Sequence, residues 1–249
     1  MRSTNQAMLF DVEAYDLIST DCFDTLLLRD NRSEWQRLAA IAQRTAAALA
    51  AHGHRLDAPL LLSTRLQAQK LAYRALEAVE PEGDVTLDAI LRLQARMLQI
   101  DPALATVMAD CELKEERISL RPNAWVIDRL EAAARAGRRV IAVSDTYLPA
   151  DALRMLAATV IGTHPVMAFY SSADIGLTKR GGRLFDYVAK CEGVAPARIL
   201  HIGDHGHADV TMARRAGLQA AHLPRPRLVM LKRIGSRIRY ESHAAGMAQ

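Results

Sequence analysis

The stretch Ser19-Thr20-Asp21-Cys22-Phe23-Asp24-Thr25-Leu26-Leu27 decides how the rest of the chain is interpreted. It follows the apolar pair Leu17-Ile18, so we predict a buried strand at 16–20 and a polar turn at 21–28. Burying a carboxylate costs on the order of several kcal/mol unless a cation or hydrogen bonds compensate it. Asp21 is therefore predicted at the carboxyl edge of a sheet, where open α/β folds bind their ligands. An Asx-type turn that merely closes the strand is the alternative.

The composition is that of an ordinary globular protein with a small excess of positive charge. The chain has 249 residues, of which 50% are hydrophobic and 24% charged, and its formal net charge is +4. This length suits one large domain or a core with an insertion. The net charge is too small to indicate nucleic-acid binding, but it is compatible with an anionic small substrate.

The cysteines and the hydropathy indicate a cytoplasmic protein. Cys22, Cys111 and Cys191 are widely spaced and lack the spacing of metal ligands, which indicates reduced thiols in place of disulfides. No apolar run approaches the roughly 20 residues of a membrane span. The first residues also lack the apolar stretch of a signal peptide. We therefore predict a cytoplasmic location and no transmembrane segment.

Residues 29–118 show helical signals and no convincing strand. Ser33 and Thr86 are predicted to cap two helices, and Pro59 and Pro102 to open two more. The segment Pro81-Glu82-Gly83-Asp84 is a predicted turn. We interpret 29–118 as an inserted all-helical cap domain.

The remainder of the chain alternates between helices and apolar strands. Strands are predicted at 139–143, 166–170, 198–202 and 220–223, and the last helix before the final strand at about 208–217. Near-continuous apolar runs are typical of a parallel sheet covered on both faces. The predicted fold class is therefore α/β, a doubly wound, Rossmann-like parallel sheet. Its core is formed by 1–28 and 119–249.

Three predicted strands end in acidic or hydroxyl side chains. They are Asp21 and Asp24, Ser144 and Asp145, and Asp204 with Asp209. Because the carboxyl ends of parallel strands share one edge, these groups are predicted to lie together. Carboxylates crowded in this way repel one another unless a cation lies among them, and hard oxygen ligands suit Mg²⁺. The alternative is that each acidic group caps the helix that follows it.

Two further features belong to the same predicted edge. Lys179 lies in the glycine-rich segment 176–182, from which it would reach the edge and neutralise a phosphate, unless it is a solvated surface charge. His205 and His207 stand between Asp204 and Asp209. Since Mg²⁺ sites rarely use imidazole, we interpret both histidines as lining the site without binding the metal; the alternative is that one of them is an acid/base group.

The four blocks, in this order, resemble the haloacid dehalogenase superfamily of phosphohydrolases. Asp21 with Thr25 resembles its first motif, Ser144 its second, Lys179 its third and 203–209 its fourth. The helical insertion falls between the first and second motifs, where the family carries a helical cap. The motif Asp-Cys-Phe-Asp-Thr also resembles that of a bacterial branch of predicted hydrolases, whose members are often linked to surface-polysaccharide genes.

The resemblance implies a nucleophile and a metal site. Asp21 would attack phosphorus and become an aspartyl phosphate. Mg²⁺ would be bound by Asp21, the main-chain carbonyl of Phe23 and Asp204. Asp209 would hold a metal-bound water or orient Lys179.

It also implies a phosphate site. Thr25, Ser144 and the main-chain N–H of Asp145 would bind the phosphoryl oxygens, and Lys179 would screen the nucleophile from the phosphate. The implied activity is that of a Mg²⁺-dependent phosphohydrolase acting on a small phosphorylated metabolite.

One position departs from the family. Its phosphatases carry a second Asp two residues after the nucleophile, as the proton donor for the leaving group, whereas this chain has Phe23. Such a group typically contributes about 100- to 10,000-fold in rate. Asp24 is a candidate substitute, although neighbouring side chains of an extended segment point to opposite sides. A catalytically weak phospho-ligand binding or accessory module is therefore the alternative, and a metal-free dehalogenase, disfavoured by Asp204 and Asp209, is a third.

The tail is rich in basic residues that are interleaved with apolar ones. The basic residues are Arg225, Arg227, Lys232, Arg233, Arg237 and Arg239. We interpret the tail as a surface helix with a solvated basic face. A basic amphipathic helix that rests on anionic lipid or on a partner is the alternative.

Overall fold

The structure, a computed structural model, describes residues 14–246, with side chains through residue 236. It divides into two compact units. Of the described residues, the sheet unit contains 14–28, Glu82–Asp84 and Pro122–Pro224, and the helical unit contains Arg29–Pro81, Val85–Arg121 and 225–246.

These units differ from the predicted domain boundaries in two places. The segment from Arg225 groups with the helical unit, although 119–249 was assigned to the core. The reason is that the terminal helix packs against the first helix of the helical unit, through contacts described below. The turn Glu82–Asp84, expected within the cap, groups with the sheet unit.

The first half of the chain builds one strand of the main sheet and then the helical unit. Its elements are β1 (Leu17–Thr20), β2 (Leu27–Arg29), α1 (Glu34–Ala51), α2 (Ala58–Val79), α3 (Leu87–Met97), α4 (Ala105–Ser119) and β3 (Leu120–Pro122). The predicted caps at Ser33 and Thr86 are confirmed. Ser33 forms a capping box with Gln36, and Thr86 accepts from the N–H of Ala89.

The second half of the chain alternates between helices and strands. Its elements are α5 (Ala124–Arg135), β4 (Arg139–Ser144), α6 (Ala150–Ile161), β5 (Ala168–Ser171), α7 (Ser172–Ile175), α8 (Arg183–Glu192), β6 (Ile199–Gly203), a π-helix (Gly206–Met212), α9 (Ala213–Arg215), β7 (Gln219–His222) and α10 (Arg227–Gly246).

The main sheet has five parallel strands in the order β5-β4-β1-β6-β7. The central strand β1 pairs with β4 on one side and with β6 on the other. The chain therefore adds strands in one direction from β1 and later in the other. This reversal places a topological switch point at the carboxyl end of β1, immediately before Asp21. The predicted α/β parallel fold is confirmed.

Both faces of this sheet are buried, which explains its near-continuous apolar strands. On one face Leu17, Ile141 and Val143 belong to a core cluster with Leu184 and Phe185 of α8. The alternate residues of the same strands point to the other face and are equally buried; they are Ile18, Val140 and Ala142.

Three local features differ from the sequence-based expectations. The strand expected at 166–170 begins at Ala168. The helix expected at about 208–217 begins at Gly206, is a π-helix to Met212, and becomes α-helical over only three residues. The short strands β2 and β3 pair with each other and were not expected, because three residues show no measurable periodicity.

Candidate active site

Asp21 lies at the first position after β1, at the carboxyl edge of the sheet. Its N–H donates to the carbonyl of Ile202 over 2.8 Å, which continues the pairing with β6. The chain then turns sharply, since the N–H of Leu27 donates to the carbonyl of Cys22 over 2.8 Å. Asp24 permits this turn by adopting a left-handed conformation with φ of 60°. The turn leaves Asp21 only 7% exposed.

Lys179 joins two of the carboxylates that follow different strands. Its Nζ lies 2.6 Å from Asp21 Oδ1 and 2.6 Å from Asp209 Oδ1. Burial acts to lower the pKa of Lys179, but the two carboxylates outweigh it and hold that pKa above its ordinary value. Burial raises the pKa of Asp21 to about 7, against the attraction of Lys179, and the carboxylates of Asp209 and Asp204 add to the increase. The site is thus crowded with negative charge.

Asp145 positions the loop that carries Lys179. Its Oδ1 accepts from the N–H of Lys179 over 2.6 Å, and its Oδ2 accepts from the N–H of Arg180 over 3.1 Å. The sequence assigned only the main-chain N–H of Asp145, to phosphate, and that role remains a prediction. The side chain serves to fix the Lys179 backbone at the same edge as Asp21.

Asp209 is held over the end of β6 by the π-helix. Its Oδ2 accepts from the N–H of His205 over 2.8 Å. A Cβ on Gly203 would lie 2.2 Å from Asp209 Cγ, so a side chain at that position would displace the carboxylate. Burial alone would raise the pKa of Asp209, but Lys179 and His201 hold it well below its ordinary value. Single π-helical turns often occur at functional sites.

His201 is a site residue that sequence reasoning missed. It is fully buried on β6, with Nε2 3.2 Å from Asp209 Oδ1 and Nδ1 2.8 Å from Ser19 Oγ. Burial lowers its pKa although Asp209 opposes the shift, which favours the neutral imidazole. We assign Nε2–H as the donor to Asp209 and Nδ1 as the acceptor from Ser19. The sequence did contain a signal for this role, because a histidine within the apolar run of β6 is buried and a buried polar group needs a hydrogen-bond partner.

The carboxylates of Asp21, Asp204 and Asp209 offer one oxygen each, and these oxygens all lie within 4.8 Å of one another. All three residues are buried. Three convergent hard oxygen donors fit a magnesium ion, which prefers carboxylates at an octahedral site completed by water and phosphate. The predicted metal-ligating aspartates are therefore brought together, whereas Asp24 does not belong to this cluster.

The predicted phosphate-binding hydroxyls lie at the same edge. Thr25 follows Asp24 in the turn, and its buried Oγ1 has no hydrogen-bond partner among the residues that the structure describes. Ser144 is buried at the last position of β4, next to β1. Phe23, in the position of the usual proton donor, is 8% exposed.

The two predicted bystander histidines have structural roles or face solvent. His205 Nδ1 accepts from the N–H of Ala208 over 3.1 Å and so caps the π-helix. His207 is exposed. A third histidine, which was not predicted, contributes to the site: His222 Nε2 lies 3.0 Å from the carbonyl oxygen of Asp204.

The segment Glu82–Asp84 contacts the same loops of the sheet unit. Ser172 Oγ donates to Asp84 Oδ2 over 2.7 Å, and it accepts from the N–H of Thr146 over 2.8 Å. Thr178 Oγ1 donates to the carbonyl of Glu82 over 3.1 Å. No local pattern in the sequence predicted these contacts, because the partners are about 90 residues apart along the chain.

The family assignment agrees with this geometry. A family model described as a haloacid dehalogenase-like hydrolase matches residues 15–217, and the chain belongs to that family. The parallel sheet flanked by helices is the one that the resemblance implied, and the roles assigned to the four motif blocks remain predictions. No curated protein sequence matches the chain.

Solved structures of the family share the fold at low sequence identity. A 2-haloacid dehalogenase from Pseudomonas syringae pv. Tomato is 19% identical with a TM-score of 0.57, over 83% of this chain and 85% of that one. A magnesium-bound HAD-hydrolase from Bacillus subtilis is 17% identical with a TM-score of 0.51, over 84% and 88%. A predicted phosphoglycolate phosphatase from Haemophilus somnus is 16% identical with a TM-score of 0.50, over 84% and 85%. These structural neighbours thus include a dehalogenase and a predicted phosphatase.

Proposed function

We propose that this hydrolase is a Mg²⁺-dependent phosphohydrolase that acts on a small phosphorylated metabolite through an aspartyl phosphate on Asp21. The observation that carries the proposal is the cluster of three buried carboxylates, Asp21, Asp204 and Asp209, two of which, Asp21 and Asp209, also contact the buried Lys179. In this proposal the helical unit acts as the cap that selects the substrate and excludes water.

The charge of the site supports a divalent cation. Asp21, Asp204 and Asp209 bring three negative charges, and Lys179 returns one positive charge, which leaves a formal excess of two negative charges. One Mg²⁺ would balance this excess. Asp21, Asp204 and the Phe23 carbonyl would hold it directly, and Asp209 through a water. When bound, the ion neutralises charge on the transferring phosphoryl group.

The proposed reaction has two displacements at phosphorus. A carboxylate oxygen of Asp21 forms a bond to phosphorus while the bond from phosphorus to the leaving oxygen breaks. Water then attacks the phosphorus of the aspartyl phosphate, which releases phosphate and restores the Asp21 carboxylate. Lys179 holds the attacking carboxylate in place. Thr25 and Ser144 donate to the phosphoryl oxygens, and the unpaired buried hydroxyl of Thr25 supports that role.

Phe23 narrows the proposed substrate class. A phenyl ring transfers no proton, so a leaving alkoxide would depart without the proton that family phosphatases supply. We therefore favour substrates whose leaving group is weakly basic, such as an acyl phosphate or a nucleoside diphosphate. Asp24 remains the candidate substitute donor within the chain.

A second function is favoured by the same residue. With Phe23 in place, the site would bind a phosphorylated ligand and hydrolyse it little, as an accessory module, for which surface-polysaccharide assembly is one candidate setting. A metal-free dehalogenase is the third function, since several structural relatives are dehalogenases. That function would leave the clustered carboxylates of Asp21, Asp204 and Asp209 without a metal ion.

One experiment separates these functions. Turnover of an activated aryl phosphate is measured with Mg²⁺ and with a chelator, for the wild type, Asp21→Asn and the control Asp128→Asn, which changes an exposed aspartate on α5. The proposal requires turnover that needs both Mg²⁺ and Asp21 and that survives in the control. Mg²⁺-dependent phosphate binding without turnover indicates the accessory module. Dehalogenation of a 2-haloacid that persists in chelator indicates the dehalogenase.

A further inference from the structure

The terminal helix α10 presents an apolar stripe to solvent. Leu228, Leu231 and Ile234 are spaced by three residues and therefore lie on one face of the helix. They are 63%, 64% and 52% exposed, and Met230 beside them is 49% exposed. Large apolar side chains grouped in this way are unusual on a surface that only contacts water.

The opposite face of α10 is fixed to the helical unit by polar contacts. The guanidinium of Arg233 donates to the main-chain carbonyls of Asp30 over 3.0 Å and Arg29 over 2.9 Å. Ser236, which is buried, accepts from the N–H of Ser33 over 3.2 Å. An amphipathic surface helix normally buries its apolar side. Here the polar side holds the helix and the apolar side is left outward.

The charge of this segment has one sign. From Arg225 to Tyr240 the sequence contains no acidic residue. Arg227 and Lys232 are exposed. Arg227 lies at the N-terminal end of the apolar stripe, one turn before Leu231, and Lys232 lies beside the stripe, one turn after Leu228. The same segment contains four more cations: Arg225, Arg233, Arg237 and Arg239.

We propose that the outward face of α10 binds an anionic lipid surface. Leucine and isoleucine side chains on a helix with basic borders insert at the boundary between headgroups and acyl chains, while the cations are attracted to anionic headgroups. A second copy of the chain fits less well, because a two-fold contact brings each basic helix against its own like-charged equivalent. None of the described helices is long and apolar enough to span a membrane, so the proposed contact is peripheral.

The sequence reading of a solvated basic face accounts for the cations but not for the outward stripe. The lipid proposal accounts for both, and it does not depend on the catalytic proposal. Membrane binding and hydrolysis are therefore tested by separate measurements.

The test uses the full-length protein and sedimentation with vesicles. One set of vesicles contains phosphatidylcholine alone and the other contains added phosphatidylglycerol. Wild-type protein is expected to sediment with the anionic vesicles, to remain in solution with the neutral ones, and to be partly released by high salt.

Two variants and a matched control locate the binding face. Leu231→Glu is expected to weaken vesicle binding by about tenfold or more, since it removes an inserted leucine and adds an anion. Lys232→Glu is expected to weaken it by a smaller factor and to reduce its dependence on salt. The control is Leu71→Glu, the same change at a leucine on α2 that is 47% exposed. It is expected to bind as the wild type does.

Three results would overturn the proposal. The first is no sedimentation of the wild type with anionic vesicles. The second is an equal loss of binding in Leu71→Glu and Leu231→Glu. The third is a concentration-dependent dimer, seen by sedimentation velocity and abolished by Leu231→Glu, in a protein that does not bind vesicles; this would identify a second copy as the occupant. Circular dichroism of each variant confirms that α10 and the rest of the protein remain folded.

Discussion

The carboxylate of Asp209 lies so close to Gly203 that a Cβ at residue 203 would stand 2.2 Å from Asp209 Cγ. No L-amino acid with a side chain is accommodated unless Asp209 moves, and Asp209 is held by Lys179 and by the N–H of His205. Gly203→Ala is therefore expected to displace the carboxylate and to destabilise the protein by about 1–3 kcal/mol, as overpacking does. Urea unfolding measures the loss.

Gly235→Ala is the matched control for this change. A Cβ at Gly235 meets no atom within 4 Å, and the residue lies inside α10. Because alanine has the higher helix propensity, the control is expected to be neutral or stabilising by up to about 1 kcal/mol. Equal destabilisation by the two substitutions would contradict the proposed contact.

The metal site is tested at Asp204. Asp204→Asn removes one of three convergent carboxylates and lowers the formal negative excess of the site from two charges to one. Losing a residue that only hydrogen-bonds to a metal ligand typically weakens metal affinity by about 10–100-fold. Asp204 is proposed as a direct ligand, so Mg²⁺ binding measured by calorimetry is expected to weaken by about that factor or more. The exposed-site variant Asp128→Asn should bind Mg²⁺ as the wild type does. An unchanged affinity in Asp204→Asn would show that the cluster is not the metal site.

The leaving group is tested at Phe23. Phe23→Asp restores a proton donor two residues after Asp21, and it is expected to raise kcat/KM on alkyl phosphates by up to about 100-fold. Activated aryl phosphates need no proton on departure and should gain much less. Phe23→Leu, which adds no proton donor, serves as the control. A gain of equal size on both substrate classes would argue against a missing acid.

The role of His201 is tested with a double-mutant cycle. His201→Leu removes a hydrogen bond from Asp209 and leaves the Ser19 hydroxyl buried without its partner, at a cost of about 1–3 kcal/mol for each group. Ser19→Ala alone is expected to have a smaller effect. If the three groups act as a chain, the double variant is less destabilised than the sum of the single variants. If the two substitutions have additive effects on the free energy of unfolding in urea, Ser19 is not energetically coupled to His201.

Glu192 provides a prediction about pH. Burial acts to raise its pKa, but the hydrogen bonds from Arg139 and Tyr170 outweigh this and hold the pKa below its ordinary value. Tyr170 Oη lies 2.6 Å from Glu192 Oε1. Because the folded pKa is lowered, the carboxylate stabilises the protein above its unfolded pKa of about 4.3, and this contribution is lost as pH falls through the folded value.

Glu192→Gln is therefore expected to destabilise the protein by about 1–2 kcal/mol at neutral pH and by progressively less in acid. The measurement is the thermal unfolding of both proteins from neutral pH down into acid. Glu131→Gln, at an exposed pair on α5, should change little at any pH. A destabilisation by Glu192→Gln that does not depend on pH would exclude the ionised carboxylate as its cause.

Much of the fold was readable because its signals are local. The apolar runs of β1, β4 and β6 report burial on both faces of a sheet, and the polar residues that end them report its carboxyl edge. Asp21, Ser144 and Asp204 could be selected in this way, and Lys179 from its glycine-rich segment. The caps at Ser33 and Thr86 depend on a few neighbouring residues and were equally accessible.

The remaining features depend on partners that are distant along the chain. Asp145 fixes Lys179 from 34 residues away, and Ser19 meets His201 across 182 residues. The π-helix places Asp209 over Gly203 through bonds that exist only once β6 and Lys179 are in position.

The sequence by itself was thus sufficient for the parallel sheet, because burial on both faces leaves apolar runs in its strands. It also supplied the candidate site residues, whose roles remain predictions. It was not sufficient for the paired strands β2 and β3, the placement of Glu82–Asp84 or the outward apolar face of α10. Those features result from packing between segments that are distant along the chain. The energies of such contacts cannot be deduced from neighbouring residues alone.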